Sequence, residues 1–231
     1  AHPYISDDGR IALMHNGNIN NYKEHGAELE KEHTFRSWGE KVDDITDSEV
    51  AVHMLSDAYN EGMTMVEAFQ HIAPKYTGMF LLAAINVEEP DTIYICNWYQ
   101  PCYIGLGKGE IMFTSARRGL EGTGMDRIFA PPKNSVIKMT RKGVEIHVMD
   151  PAREIPNRVI NEFSAKRKIV ETLKEHGEMD VRVLFYSLLP EGWAEVYDVS
   201  PEEFTADRNA GIYVMNPYFE LLESMVKDGI L

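Results

Sequence analysis

The spacing of apolar residues changes character twice along the chain, after Gly78 and again near Asp150-Pro151. Residues 10–15 (RIALMH) form a short apolar run that reads as a buried strand, ended by an Asn16-Gly17 turn. Residues 20–33 are mostly charged, with weak helical spacing through Tyr22 and Leu29. In the following TDSEVAVHMLSDAYNEG, Thr46 and Glu49 have the spacing of a capping box. Val50, Met54 and Leu55 supply an apolar stripe at helical period. Thr64 and Glu67 repeat the device before a second helix through Phe69 and Ile72, which Pro74 stops.

After Gly78 the segments MFLLAAINV, TIYICNW, CYIGLG, EIMFTSA, SVIKMT and VEIHVM read as strands, separated by turns such as Glu-Pro-Asp, Gln-Pro and Gly-Lys-Gly. Short strands without intervening helices imply antiparallel sheets, so the class is α+β rather than alternating βαβ. From Pro156 a charged helical stretch (NRVINEFSAKRKIVETLKEHG) leads to an apolar strand candidate, VRVLFYSLL, and a last helix, NPYFELLESMVKDG. The expected organisation is a main domain over residues 1–150 and a small α/β extension over 151–231.

Composition narrows the classes. With 44% hydrophobic residues the 231-residue chain can bury a sizeable core, and its net charge of −14 disfavours nucleic acid and anionic membranes, whose phosphates it would repel. Two cysteines, Cys96 and Cys102, give no disulfide framework, which fits a reducing, cytoplasmic setting. No apolar run approaches the roughly 18 residues that span a bilayer. The opening AHPYISDDGR lacks the basic and apolar regions of a signal peptide.

Several motifs fail on inspection. In YIGLGKGE the Gly-Lys is followed by Glu110 and a strand-like segment rather than by Ser/Thr and a helix, so a hairpin is expected there, not a phosphate loop. None of the eight histidines makes an H-x-x-x-H pair and neither cysteine lies in a C-x-x-C, so no metal and no cofactor are expected. His15, His53 and His71 flank apolar runs and read as hydrogen-bonded structural histidines. No G-x-S-x-G elbow supports a Ser/His/Asp triad, and Ser48 reads as a first-turn helix residue.

Asn16-Gly17 and Thr46-Asp47 remain. A strand ending in Asn-Gly leaves the glycine N–H pointing out of the sheet end, and the Asn side-chain NH₂ can converge on the same spot. Two neutral donors aimed at one point suit a tetrahedral oxyanion. Asp47, just inside a helix N-terminus, is kept ionised by the helix dipole and suits an ammonium ligand. The competing reading is a plain turn and a plain helix start.

The ordered motifs resemble the class II glutamine amidotransferases, with their N-terminal-nucleophile (Ntn) glutaminase domain. They are an AHP start, an apolar strand into HNG-x-I-x-N-Y, a T-D-[ST]-E-V helix start, and IGLGKGE before a strand. Roughly residues 1–148 are similar to the glutaminase domain of glucosamine-6-phosphate synthase and to glutamate-synthase-like amidotransferase subunits. The resemblance implies a four-layer αββα sandwich, with glutamine as substrate and ammonia passed to a synthase on another chain. It implies that Asn16 and Gly17 form the oxyanion hole, that Asp47 holds the substrate α-amino group, and that His2 lies near the glutamine loop. In the family a Cys nucleophile and a carboxylate-binding Arg precede the AHP motif. Neither has a match here: Ala1 is no nucleophile, and Cys96 and Cys102 are on the wrong strands. The expectation is therefore a glutaminase domain seen without its nucleophile, most simply a fragment. The alternative is a non-catalytic Ntn-fold binding or scaffolding subunit.

Overall fold

Strand β2 (Ile11–Ile19) organises the first half of the molecule. In the computed structural model, residues 1–37, 44–153, 160–209 and 216–231 are described. They divide into two units, Ala1–Glu154 and Ile155–Leu231. In the first unit β2 pairs antiparallel with β1 (Tyr4–Ile5) on one side and with β3 (Gly78–Asn86) on the other. The sheet continues through β4 (Thr92–Trp98), then crosses to β8 (Ser135–Thr140) and β9 (Gly143–Val148), giving six strands in the order β1-β2-β3-β4-β8-β9. A second sheet, in the order β6-β5-β7, holds β5 (Tyr103–Leu106), β6 (Ile111–Thr114) and β7 (Arg127–Phe129).

Three helices precede most of these strands: α1 (Tyr22–Leu29), α2 (Asp47–Asn60) and α3 (Met65–Ile72). The apolar faces of α2 and α3 pack on one side of the large sheet, where Leu55, Phe69 and Ile72 meet Leu13, Phe80, Leu82 and Tyr94. On the other side Leu81, Ala83, Ile95 and Ile137 meet Ile104 and Phe113 of the small sheet. Both faces of β3 are thus covered, which is why MFLLAAIN reads as a continuous apolar run rather than an alternating one. Among the described residues, helices, large sheet and small sheet stack as an α+β sandwich built from antiparallel sheets.

Local chemistry sets the element ends. Thr64 and Glu67 form the complete capping box at the start of α3. At α2 only half of the box forms. The Thr46 hydroxyl accepts the Glu49 N–H at 3.3 Å, while the Glu49 carboxylate turns away to accept the backbone N–H groups of Arg36 (2.7 Å) and Ser37 (2.8 Å). The glycine-rich segment is a hairpin between β5 and β6, closed by Gly107 N–H to the Glu110 carbonyl at 3.0 Å with Gly109 at φ +76°.

The second unit differs from expectation. The strand expected over VRVLFYSLL is a helix, α5 (Val181–Ser187), between α4 (Glu162–His176) and α6 (Glu191–Tyr197). Asp180 caps it by accepting from the N–H groups of Arg182 (2.8 Å) and Val183 (3.3 Å). The Trp193 indole donates to the Phe185 carbonyl at 2.9 Å, which fixes the other end. An apolar run of this length does not distinguish strand from helix by period alone; the cap and the tryptophan decide it. With α7 (Pro201–Asn209) and α8 (Asn216–Lys227), the described part of this unit is helical around Ile169, Leu184, Trp193, Phe204 and Met225. The first residues of the helix expected from Asn157 lie outside the described residues; α4 itself begins at Glu162 with an Asn161 cap.

Candidate active site

The Asn16-Gly17 pair is not a turn. β2 runs through it to Ile19, with Asn16 opposite Leu81 and Gly17 opposite Phe80. A two-residue hairpin of the Asn-Gly kind needs positive φ at both positions, and of the two only Gly17 has it, at +119°. What Gly17 supplies is room. A Cβ at this position would stand 2.1 Å from the Met79 carbonyl oxygen, so only glycine lets β2 and β3 close up here.

The ladder also fixes where the Gly17 N–H points. Val87 N–H donates to the Arg10 carbonyl at 3.0 Å and Asn20 N–H donates to the Thr77 carbonyl at 2.9 Å. Even-numbered positions of β2 therefore exchange hydrogen bonds with β3, and odd-numbered ones turn their N–H groups to the opposite edge. Ile19 shows the result: its N–H donates across that edge to Asp47 Oδ2 at 3.1 Å. Gly17 is two residues back in the same series, about 7 Å along the strand. The pairing of β1 with β2 ends at Tyr4 and Leu13, before Gly17.

Asp47 is the first residue of α2, and the elements around it converge on its neighbour Ser48. The Ser48 hydroxyl lies 2.9 Å from His2 Nε2, 3.2 Å from His15 Nδ1 and 3.2 Å from Asp47 Oδ1. His15 Nδ1 is also 3.4 Å from Asp47 Oδ1. Partial burial pushes the Asp47 carboxyl up, but hydrogen bonds from His15, the Ile19 N–H and Ser48 outweigh it and hold the group below the ordinary carboxylate value. Burial and the neighbouring His15 hold the His2 imidazole below its ordinary value, against the pull of Asp47. At neutral pH the cluster therefore presents an ionised carboxylate beside a neutral imidazole.

The structure thus brings His2 and Asp47 together through Ser48, and ties Asp47 to the strand edge that carries Gly17. Asn16 is exposed and sits on the face of β2 opposite His15. Sequence reading missed the part played by Ser48 and His15. The available signal was their place in the motifs, Ser48 directly after Asp47 and His15 directly before Asn16. Cys96 and Cys102 are free and buried. Burial pushes the Cys96 thiol far above its ordinary value despite the nearby Arg153, and pushes that of Cys102 to about 11 despite Lys133. Neither is a thiolate at neutral pH.

An antiparallel α+β sandwich with an Asn-Gly strand edge beside a helix-borne carboxylate has the layout of a class II, Ntn-type amidotransferase domain. The sequence profile described as "Glutamine amidotransferase domain" matches residues 1–121, and the chain belongs to that family. Over 150 residues it is 28% identical to the glutamine–fructose-6-phosphate aminotransferase (isomerizing) of Streptomyces coelicolor, an alignment covering 65% of this chain and 23% of that protein. With the enzymes of the same name from Symbiobacterium thermophilum and Thermococcus kodakarensis the identities are 37% and 35% over 116 residues, 50% of this chain and 18% of each relative. The chain therefore matches about a fifth of the length of these curated relatives. Among solved structures, the glutamine phosphoribosylpyrophosphate amidotransferase of B. subtilis superposes with a TM-score of 0.57 at 13% identity, over 85% of this chain and 46% of the other. A structure titled as the allosteric regulatory enzyme of purine biosynthesis gives 0.57 at 14%, over 86% and 45%. At such identities these likenesses establish the fold.

Proposed function

We propose that this domain hydrolyses the side-chain amide of glutamine to glutamate and supplies the ammonia to a synthase site on another chain. The observation that carries the reading is Asp47, a carboxylate kept ionised and pinned by the Ile19 N–H to the strand edge on which Gly17 lies. Its charge suits the α-amino group of glutamine. The Gly17 N–H and the Asn16 amide are the donors for the oxyanion, and His2 and Ser48 are positioning residues that hold Asp47 in its rotamer. Membership of the amidotransferase family supports the substrate, and the two buried thiols, held protonated, are not candidates for the nucleophile.

The chemistry follows from those roles. A thiolate adds to the amide carbon, and the carbonyl oxygen becomes an oxyanion facing Gly17 and Asn16. The α-amino group of the nucleophile takes the thiol proton and returns it to the amide nitrogen. The C–N bond then breaks, ammonia departs, and water cleaves the thioester to glutamate. Two free thiols suit a cytoplasmic setting, and no helix among the described residues is long and apolar enough to cross a membrane.

The test is glutamate release by the protein that carries this domain. Losing one oxyanion donor costs about 2.7–4 kcal/mol of barrier, so Asn16→Ala lowers turnover by a hundredfold or more, roughly. Turnover close to that of the parent protein removes the assignment. The inert thiols also favour a second reading, a binding or scaffolding subunit of the same fold. Glutamine binding without any release in the same protein selects that one.

A further inference from the structure

Less than two turns along α2 from Asp47, at His53, a second set of imidazoles and carboxylates comes together. Asp7 lies in the tight turn between β1 and β2, His33 just past α1, and His53 inside α2. His33 Nδ1 is 2.9 Å from Asp7 Oδ2, and His53 Nδ1 is 3.9 Å from the same oxygen. One donor atom from each residue falls within 4.8 Å of the others. His53 is 1% exposed, and neither of its ring nitrogens has a hydrogen-bond partner. A buried imidazole normally has at least one nitrogen satisfied, so this side chain is built for a partner that the protein atoms do not supply.

We propose that Asp7, His33 and His53 form a site for a divalent transition-metal ion of the zinc type. Two ligands about 2.0–2.1 Å from a tetrahedral zinc stand about 3.4 Å apart, and the two distances from Asp7 Oδ2 bracket that separation. Two imidazoles and one carboxylate are borderline donors, suited to zinc or its first-row neighbours rather than to calcium or magnesium. His33 is backed as metal-bound histidines usually are, its Nε2 lying 3.0 Å from Asp57 Oδ2.

The ligands are held in place by structure around them. The turn bearing Asp7 is closed by Gly9 N–H to the Ser6 carbonyl at 2.9 Å and by Ile11 N–H to the Ser6 hydroxyl at 3.0 Å. The His33 N–H caps the end of α1 through the Leu29 carbonyl at 2.8 Å. The Phe35 ring meets His53 edge-on at 5.2 Å and shields it from solvent. Bound there, the ion ties the first hairpin and the end of α1 to α2, the helix that carries Asp47. Its role is to clamp the helix. Sequence spacing could not reveal the site, because each ligand comes from a different element.

The experiment uses the whole 231-residue protein, stripped with chelator and titrated with Co²⁺. Visible absorption reports the ligand field, Zn²⁺ competition reports the affinity, and thermal melting is followed in parallel. One equivalent of Co²⁺ with visible d–d bands, displaced by Zn²⁺, and a rise in melting temperature with either metal are expected. Asp7→Asn, at an exposed position that leaves the core intact, and His33→Gln each weaken the affinity by at least about tenfold. Asp57→Asn weakens it about 10–100-fold through the backing carboxylate. Substoichiometric uptake by the parent protein overturns the proposal. So does uptake of unchanged affinity in both Asp7→Asn and His33→Gln.

Discussion

Two histidine–carboxylate clusters meet α2 about one and a half turns apart, at Ser48 and at His53, and they are finished differently. At its start, Ser48 knits His2, His15 and Asp47 into one hydrogen-bonded group, and the Ile19 N–H adds a backbone anchor. Further on, His33 bridges Asp7 and Asp57, while His53 stands beside them with both nitrogens unpartnered. In the first cluster both Asp47 oxygens are engaged, by Ser48 and by the Ile19 N–H, which holds the carboxylate still and suits orienting an organic substrate. The second leaves both His53 nitrogens unpartnered beside the Asp7 carboxylate, which suits a small cation. The same residue types meet at both places, and what separates them is the buried histidine: His15 has one nitrogen partnered and His53 has none.

The contrast can be broken from either side. The largest effect is expected beneath the first cluster, where Gly17→Ala drives a methyl group into the Met79 carbonyl and spoils the joint between β2 and β3. A loss of about 3 kcal/mol, with an unchanged urea m-value and a lowered midpoint, is the expected result. An undisturbed midpoint shows that the strands can separate there at no cost. Next comes Ser48→Ala, which removes the shared hydroxyl and destabilises by about 1–2 kcal/mol in the same assay. No change means that the knot at the head of α2 contributes nothing.

The opposite sign is expected in the second cluster. His53→Leu keeps the side chain apolar and similar in volume, and removes two unsatisfied nitrogens. The metal-free variant gains about 1 kcal/mol over the metal-free parent, while His15→Leu at the first cluster loses stability. If both substitutions destabilise alike, the distinction between the clusters fails. The smallest effect is in pH dependence. Asp47 is held below its unfolded value of about 3.9, so its contribution is present above that value and fades as pH falls through the folded one. The midpoint difference between the parent protein and Asp47→Asn should be flat from pH 5 to 8, roughly, and shrink below about 4. A difference that persists in acid assigns the effect to packing.

How much of this was legible in the sequence depended on range. The caps at Thr46 and Thr64, the β5–β6 hairpin and the two-faced β3 are local patterns, and local patterns survived folding. Residues 181–189 did not, because an apolar run fits either element until a cap and a tryptophan contact decide. Asn16-Gly17 misled for a related reason. Its turn chemistry is real, but the close approach of Met79, 62 positions later, puts the glycine inside a strand. Within the proposed site, the positions of Asp47 and Gly17 follow from motifs. The joining role of Ser48 needed His2 and His15 brought to it by the sheet, and the Asp7–His33–His53 group needed three separate elements.

The proposed function rests on a glutamine site anchored on Asp47. Isothermal titration of glutamine into the 231-residue protein and into Asp47→Asn tests it most directly. Saturable binding to the parent protein, weakened at least about tenfold by the loss of one charge-assisted contact, is the predicted outcome. Equal affinity in the two proteins, or no binding of glutamine to the parent, contradicts it.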